Sequence, residues 1–254
     1  MAEDVCPDCG GSGWKIVERD GISGAEKCEC VKEGRSKRLE ETAGIPPLYR
    51  NASFDSFQIP KDNDIAARDL SMLRQTVLTY AHEFPLGPKA GLLLIGDSGT
   101  GKTHLAVAAL RRIIAKGFQG VFFDYQNLLD RIASGFDPNS GSSDREAYRD
   151  ALDAQVLMLD DLGAHRTLPW IEDVVTSIIT QRCNNRKALI ATTNLPDVDA
   201  GDRVSQRLPG GIVEYRRTLA DHIGQRARSR LFEMCKVVHM PLVRDHRLGK
   251  TANW

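Results

Sequence analysis

Eight consecutive residues, Gly96-Asp97-Ser98-Gly99-Thr100-Gly101-Lys102-Thr103, fit the pattern G-x-x-x-x-G-K-S/T. Glycines at this spacing let a backbone curl until its N–H groups point inward, where they would meet phosphate oxygens. A helix directly after the loop adds the positive end of its dipole. Lys102 would reach the β- and γ-phosphates of a nucleoside triphosphate such as ATP, and the Thr103 hydroxyl would ligate Mg2+. The bland alternative is a glycine-rich turn, but at average composition such a match arises by chance in a chain this long about one time in a hundred.

A phosphate loop needs a carboxylate at the tip of a neighbouring strand to hold the metal. The run Val156-Leu157-Met158-Leu159-Asp160-Asp161 supplies one. Two acids ending an apolar strand are costly without a cation or partner. Asp160 would orient the metal, and Asp161 would orient or deprotonate the attacking water. This second acid is one methylene shorter than the commoner Glu, which points to slow or partner-dependent hydrolysis. A third apolar run, Ala188–Ala191, ends in Thr192-Thr193-Asn194, and Asn194 is placed to hold the water or contact the γ-phosphate.

A second chemistry sits at the front. Cys6-x2-Cys9 and Cys28-x-Cys30 offer four thiolates to one tetrahedral zinc. Glycines follow the first pair (Cys9-Gly10-Gly11-Ser12-Gly13), as in a zinc knuckle, where backbone N–H groups turn toward sulfur. Thirty residues with so few large apolar side chains need such a staple to fold. With no His or acid to complete an open site, the zinc would be structural. Cys183 and Cys235 read as reduced structural thiols.

The elements that must carry these residues emerge from residue 61 onward. Leu70, Leu73, Val77, Ala81 and Phe84 recur at helical spacing, and Pro85 and Pro88 end the pattern. The run Leu92–Ile95 reads as a buried strand, then a helix over Thr103–Ala115, a strand over Val121–Phe123 and a helix over Gln126–Ala133. Gly135–Asp144 reads as a loop. Strand Val156–Leu159, a helix around Trp170–Arg182 and strand Ala188–Ala191 complete the alternation. Helices and strands in this order predict an α/β fold with a parallel sheet covered on both faces. The expected organisation is a zinc module over residues 1–32, a connector over 33–60 and an ATPase domain over 61–254.

The 254 residues carry 34 basic and 34 acidic side chains, so the net charge is zero. The balance hides segregation: residues 1–60 are net −3, whereas residues 203–254 are net +7. The acidic front suits a protein partner more than DNA. Near the C-terminus, Ile223, Ala227, Leu231 and Met234 form one helical apolar stripe over residues 222–235, with Arg226 and Arg230 along its edge and Arg228 on the opposite flank. Arginines beside a buried face suit a subunit contact, although for any single one a solvated basic helix face is the simpler reading. No apolar run is long enough to span a membrane, and the acidic start is no secretory signal, so a cytoplasmic protein is expected.

Taken together, GDSGTGKTHLA, LMLDDLG, ATTN and IGQRARSRLFE, in that order, resemble the DnaC/DnaI/IstB-type AAA+ ATPases, which are helicase loaders and their transposition relatives. The resemblance spans about residues 42–247. It implies a three-layer P-loop AAA+ domain, with Lys102 and Thr103 as Walker A, Asp160 and Asp161 as Walker B and Asn194 as sensor 1. It likewise implies Arg230 as an arginine finger and Arg247 as the sensor 2 arginine; Arg226 is a neighbour in the same box. The front end departs from the transposition-type members, which usually carry no cysteine module.

On this resemblance the expected function is ATP-dependent loading of a replicative DNA helicase. ATP would assemble subunits, each lending Arg230 to its neighbour's γ-phosphate, and the oligomer would grip single-stranded DNA. The zinc module would be the helicase-binding head, as in DnaI-type loaders. The alternative is an IstB-like ATPase that coats target duplex DNA in transposition. A P-loop enzyme acting on a small molecule is the third class, but nothing in the sequence looks like an acceptor pocket.

Overall fold

The structure is a computed structural model, and it describes residues 6–19, 21–60, 63–135, 142–164, 168–198, 205–207, 213–243 and 245. In chain order the elements are β1 (Trp14–Arg19), β2 (Ile22–Lys27), α1 (Glu29–Thr42), α2 (Asp64–Glu83), β3 (Gly91–Ile95) and α3 (Lys102–Ala115). They continue with β4 (Gly120–Asp124), α4 (Tyr125–Gly135), α5 (Ser142–Asp153), β5 (Val156–Asp160), α6 (Pro169–Asn184) and β6 (Ala188–Thr193). The last are β7 (Ser205–Arg207), β8 (Val213–Tyr215), α7 (Leu219–Ile223), α8 (Gln225–Met234) and β9 (Cys235–His239).

Five strands form one parallel sheet in the order β4-β5-β6-β3-β9. Side chains on a strand alternate between faces, and both faces here are apolar. Leu92 and Leu94 of β3 join one core with Leu73 and Val77 of α2 and Leu105 and Leu110 of α3. Leu93 and Ile95 join the other, with Leu128 of α4, Ile171 and Ile178 of α6 and Leu231 of α8. The result is the three-layer α/β architecture expected from the alternation. It brings the C-terminal ends of β3, β5 and β6 side by side, where open parallel sheets bind ligands.

The front of the chain stands apart from this sheet. β1 and β2 make an antiparallel hairpin between the two cysteine pairs. Cys28 is the residue that caps α1, and α1 crosses residue 32 without a break. Its far end is fastened to the core: Glu40 pairs with Arg111 of α3 at 2.5 Å, and the Phe122 N–H of β4 donates to the Ala43 carbonyl at 2.7 Å. The hairpin is thus joined through one helix to the helix that begins at Lys102.

Three local expectations are corrected. The stripe over residues 222–235 is two helices, because Gly224 adopts φ +82°, ψ 150° between α7 and α8. The loop expected over Gly135–Asp144 is helical from Ser142 on, since α5 opens there and buries Ala147 and Ala151 one turn apart. Cys235, the last residue of that expected helical stretch, instead opens β9, an edge strand of the sheet.

Candidate nucleotide and metal sites

β3 is buried along its whole length and ends at Ile95. The chain then turns through Gly96–Gly101 and enters α3 directly at Lys102. Gly99 and Gly101 take φ +74° and +93°, a region that L side chains rarely adopt. A Cβ on Gly101 would also lie 2.6 Å from the Phe57 ring, so the segment before α2 packs directly on the loop. No side chain caps the first turn of α3, which leaves its N–H groups facing the loop as an anion site. Lys102 is only 5% exposed, and its ammonium donates to the Gly96 and Asp97 carbonyls at 2.8 Å each. That grip holds the loop closed around the position where phosphate oxygens would compete for the same cation.

The acids arrive from the adjacent strands. β6 lies between β3 and β5, and the Gly96 N–H donates to the Thr193 carbonyl at 3.2 Å. Asp160 ends β5 and is buried; Asp161 follows at φ +53° with an exposed carboxylate. Burial pushes the Asp160 carboxyl above its usual range, while hydrogen bonds from Thr192 and then Thr103 pull it back. Thr103 and Asp160 are therefore neighbours, and a buried acid beside a hydroxyl at a phosphate loop is a donor set that fits Mg2+. Asn194 is exposed and directly follows Thr193, alongside the loop. Arg247 lies outside the described residues; Asp245, two positions earlier, rests its carboxylate against Gly99.

The arginines separate. Arg228 is 14% exposed, makes a bidentate pair with the buried Asp197 at 2.5 and 2.8 Å, and lies 4.0 Å over the Phe232 ring. It is committed within the chain. Arg226, in the first turn of α8, is exposed and has no charged partner among the described residues. Arg230, one turn further on, pairs with Glu233 at 2.7 Å and remains 45% exposed. Its surroundings are Cys183 at the end of α6 and Lys89 before β3, whose ammonium donates to the Glu233 carbonyl. Those groups lie at the sheet edge opposite the phosphate loop.

Sequence reasoning assigned no role to three groups that the fold engages. Asp124 ends β4 in register with Asp160 and caps α4 through the Asn127 N–H. Asp197 holds Arg228, and Thr192 bonds both acids of β5. The partners of these three side chains are defined by strand order and packing, which one sequence does not carry.

At the front, the sulfurs of Cys6, Cys9, Cys28 and Cys30 all lie within 4.8 Å of one another. Cys6 and Cys28 are 3.8 Å apart, and Cys9 and Cys30 are 3.5 Å apart. A zinc tetrahedron with bonds of about 2.3 Å has sulfur–sulfur edges of about 3.8 Å, whereas a disulfide needs about 2.05 Å. The Gly13 N–H donates to the Cys9 sulfur at 3.3 Å and is the main reason that thiol falls to about 7. Cys30 is pushed upward, first by its bond with Cys28. Four thiols this close cannot all ionise without a cation, so the set fits zinc. Purified protein should hold one zinc per chain by metal analysis, and Cys9→Ser should lose it. Metal-free protein prepared without chelator would contradict this reading.

Residues 29–202 match the family described as IstB-like ATP binding protein. The replicative helicase loader DnaC of Escherichia coli strain K12 is 25% identical over 184 residues, covering 70% of this chain and 72% of that protein. A crystal structure of the DnaC helicase loader is similar with a TM-score of 0.60 and 29% identity, over 77% of this chain and 100% of that one. The crystal structure of DnaI gives a TM-score of 0.56 at 19% identity, over 82% of this chain and 100% of that one, a likeness of fold.

Proposed function

The chain belongs to the IstB-like ATP binding protein family, and from that premise we propose that it hydrolyses ATP to load or remodel a replicative DNA helicase. The observation that carries the reading is the joining of a complete phosphate site to a four-thiol head through one helix, α1. Likeness to the replicative helicase loader DnaC supplies the partner class.

In this reading residues 1–32 form the helicase-binding head, residues 33–60 connect it, and residues 61–254 are the ATPase domain. The loop from Gly96 to Thr103, including Asp97, Ser98 and Thr100, wraps the triphosphate, and Lys102 moves its ammonium from the loop carbonyls to the phosphate oxygens. Thr103 and Asp160 would hold Mg2+, which would supply positive charge to the triphosphate. Asp161 orients a water and takes its proton as the water oxygen bonds to the γ-phosphorus. The bond to the bridging oxygen breaks, and ADP and phosphate leave. Asn194 would act as sensor 1 on the water or the γ-phosphate, Arg247 as the sensor 2 arginine, and Arg230 of one subunit as the finger for the next. Single-stranded DNA would bind a path built by several subunits, with basic residues from each lining it.

The family's IstB-like description favours one second reading, an ATPase that coats target duplex DNA in transposition. The two part at the helicase. Full-length protein should retain the host's replicative helicase in a pull-down, and deletion of residues 1–32 should lose it. No retention by the full-length chain, or no change on deletion, overturns the loader reading.

A further inference from the structure

We propose that Thr192 is a positioning residue for hydrolysis, one hydroxyl that fixes both acids at the end of β5. The inference rests on the ATPase reading above. Thr192 is fully buried, on the strand that lies between the phosphate-loop strand and the acidic one. Ala191 is in register with Leu159, which brings the next residue of each strand together. The Thr192 hydroxyl donates its only proton to Asp160 Oδ1 at 2.6 Å and accepts the Asp161 N–H at 3.0 Å.

Each bond has a distinct consequence. Donation to Oδ1 sets the rotation of the Asp160 carboxylate, and so the direction of its other oxygen toward the metal position beside Thr103. Acceptance from Asp161 acts on the backbone. Asp161 sits at φ +53°, where a residue with a Cβ is strained. It is held there from one side by the Thr192 hydroxyl and, one residue later, by the Leu162 N–H bonded to the Thr192 carbonyl at 2.8 Å. The bend is what turns the Asp161 carboxylate out of the sheet and leaves it exposed. Thr192 itself lies behind these acids and reaches the reacting atoms only through them.

Valine matches threonine in shape but can neither donate nor accept, whereas serine can do both. Thr192→Val should therefore keep the KM for ATP within about threefold while kcat falls at least tenfold. Mn2+ affinity, read by electron paramagnetic resonance with a non-hydrolysable ATP analogue bound, should weaken several-fold. Thr192→Ser should recover both readouts, and Thr192→Ala should resemble the valine variant if valine does not fold. A valine or alanine variant with parental kcat and Mn2+ affinity overturns the proposal. So does a serine variant as impaired as valine, or a loss of ATP binding in step with kcat, since either marks a packing role. Asp160→Asn in parallel separates the two readings: full turnover by that variant rejects the ATPase site itself, whatever Thr192 does.

Discussion

Lys102→Ala should abolish measurable ATP binding while leaving the fold and the zinc content unchanged. The lysine is nearly fully buried and holds its charge within 2.8 Å of two loop carbonyls. A triphosphate entering the loop replaces those neutral acceptors with anionic ones, and hydrogen bonds between charged groups are worth roughly 1.5–3 kcal/mol each. Two such bonds correspond to about 3–6 kcal/mol, or roughly a hundredfold to ten-thousandfold in affinity. Alanine is a strong helix former, so α3 should still start at this position. The cysteine cluster draws no ligand from the loop, so its metal should stay bound. Calorimetric titration with ATP and metal analysis of the same sample check both halves. Affinity within about threefold of the parent would show that the loop does not bind triphosphate through this residue.

The parts of the site that were legible in the sequence are those whose chemistry is local. The phosphate loop is a continuous segment, and both acids of β5 follow the strand that aims them. The cysteines were legible by type and spacing, and the fold closes them to within one metal shell. What escaped are features defined by packing. Gly224 splits a single apolar stripe into α7 and α8, and only its positive φ reveals the break. Arg182 is fully buried and donates to the carbonyls of Ala151, Ala154 and Ala188, a role that a helix wheel assigns to no arginine. The stripe places Arg228 on the opposite flank from Arg226 and Arg230, but not its bidentate pair with Asp197, thirty-one residues away. For Arg182 and Arg228 a deciding partner, Ala151 and Asp197, lies thirty-one residues away and is brought alongside only by the fold.

The same topology decides what Arg230 can do. α8 ends at Met234 and passes without a loop into β9, whose first residue, Cys235, is in register with Gly91 at the start of β3. The phosphate loop begins after Ile95, at the far end of that strand. Four residues of strand span about 13 Å, and Arg230, in the second half of α8, pairs with Glu233 beside the Cys183 end of α6. On the proposed reading, a guanidinium at that end of the sheet would serve a neighbour's triphosphate rather than its own chain's. Arg230→Ala should keep ATP affinity within about threefold and lower turnover by about 10³-fold or more, the range for an arginine supplied in trans. Mixing supplies the decisive measurement. Lys102→Ala subunits bind no ATP but carry the arginine, and Arg230→Ala subunits bind ATP but lack it, so the two inactive proteins together should regain turnover. Full turnover by Arg230→Ala alone, or no recovery on mixing when both variants still assemble with the parent protein, rejects the trans role. Glu233→Gln controls for the intrachain pair: it frees Arg230 without removing it, and turnover should hold or rise.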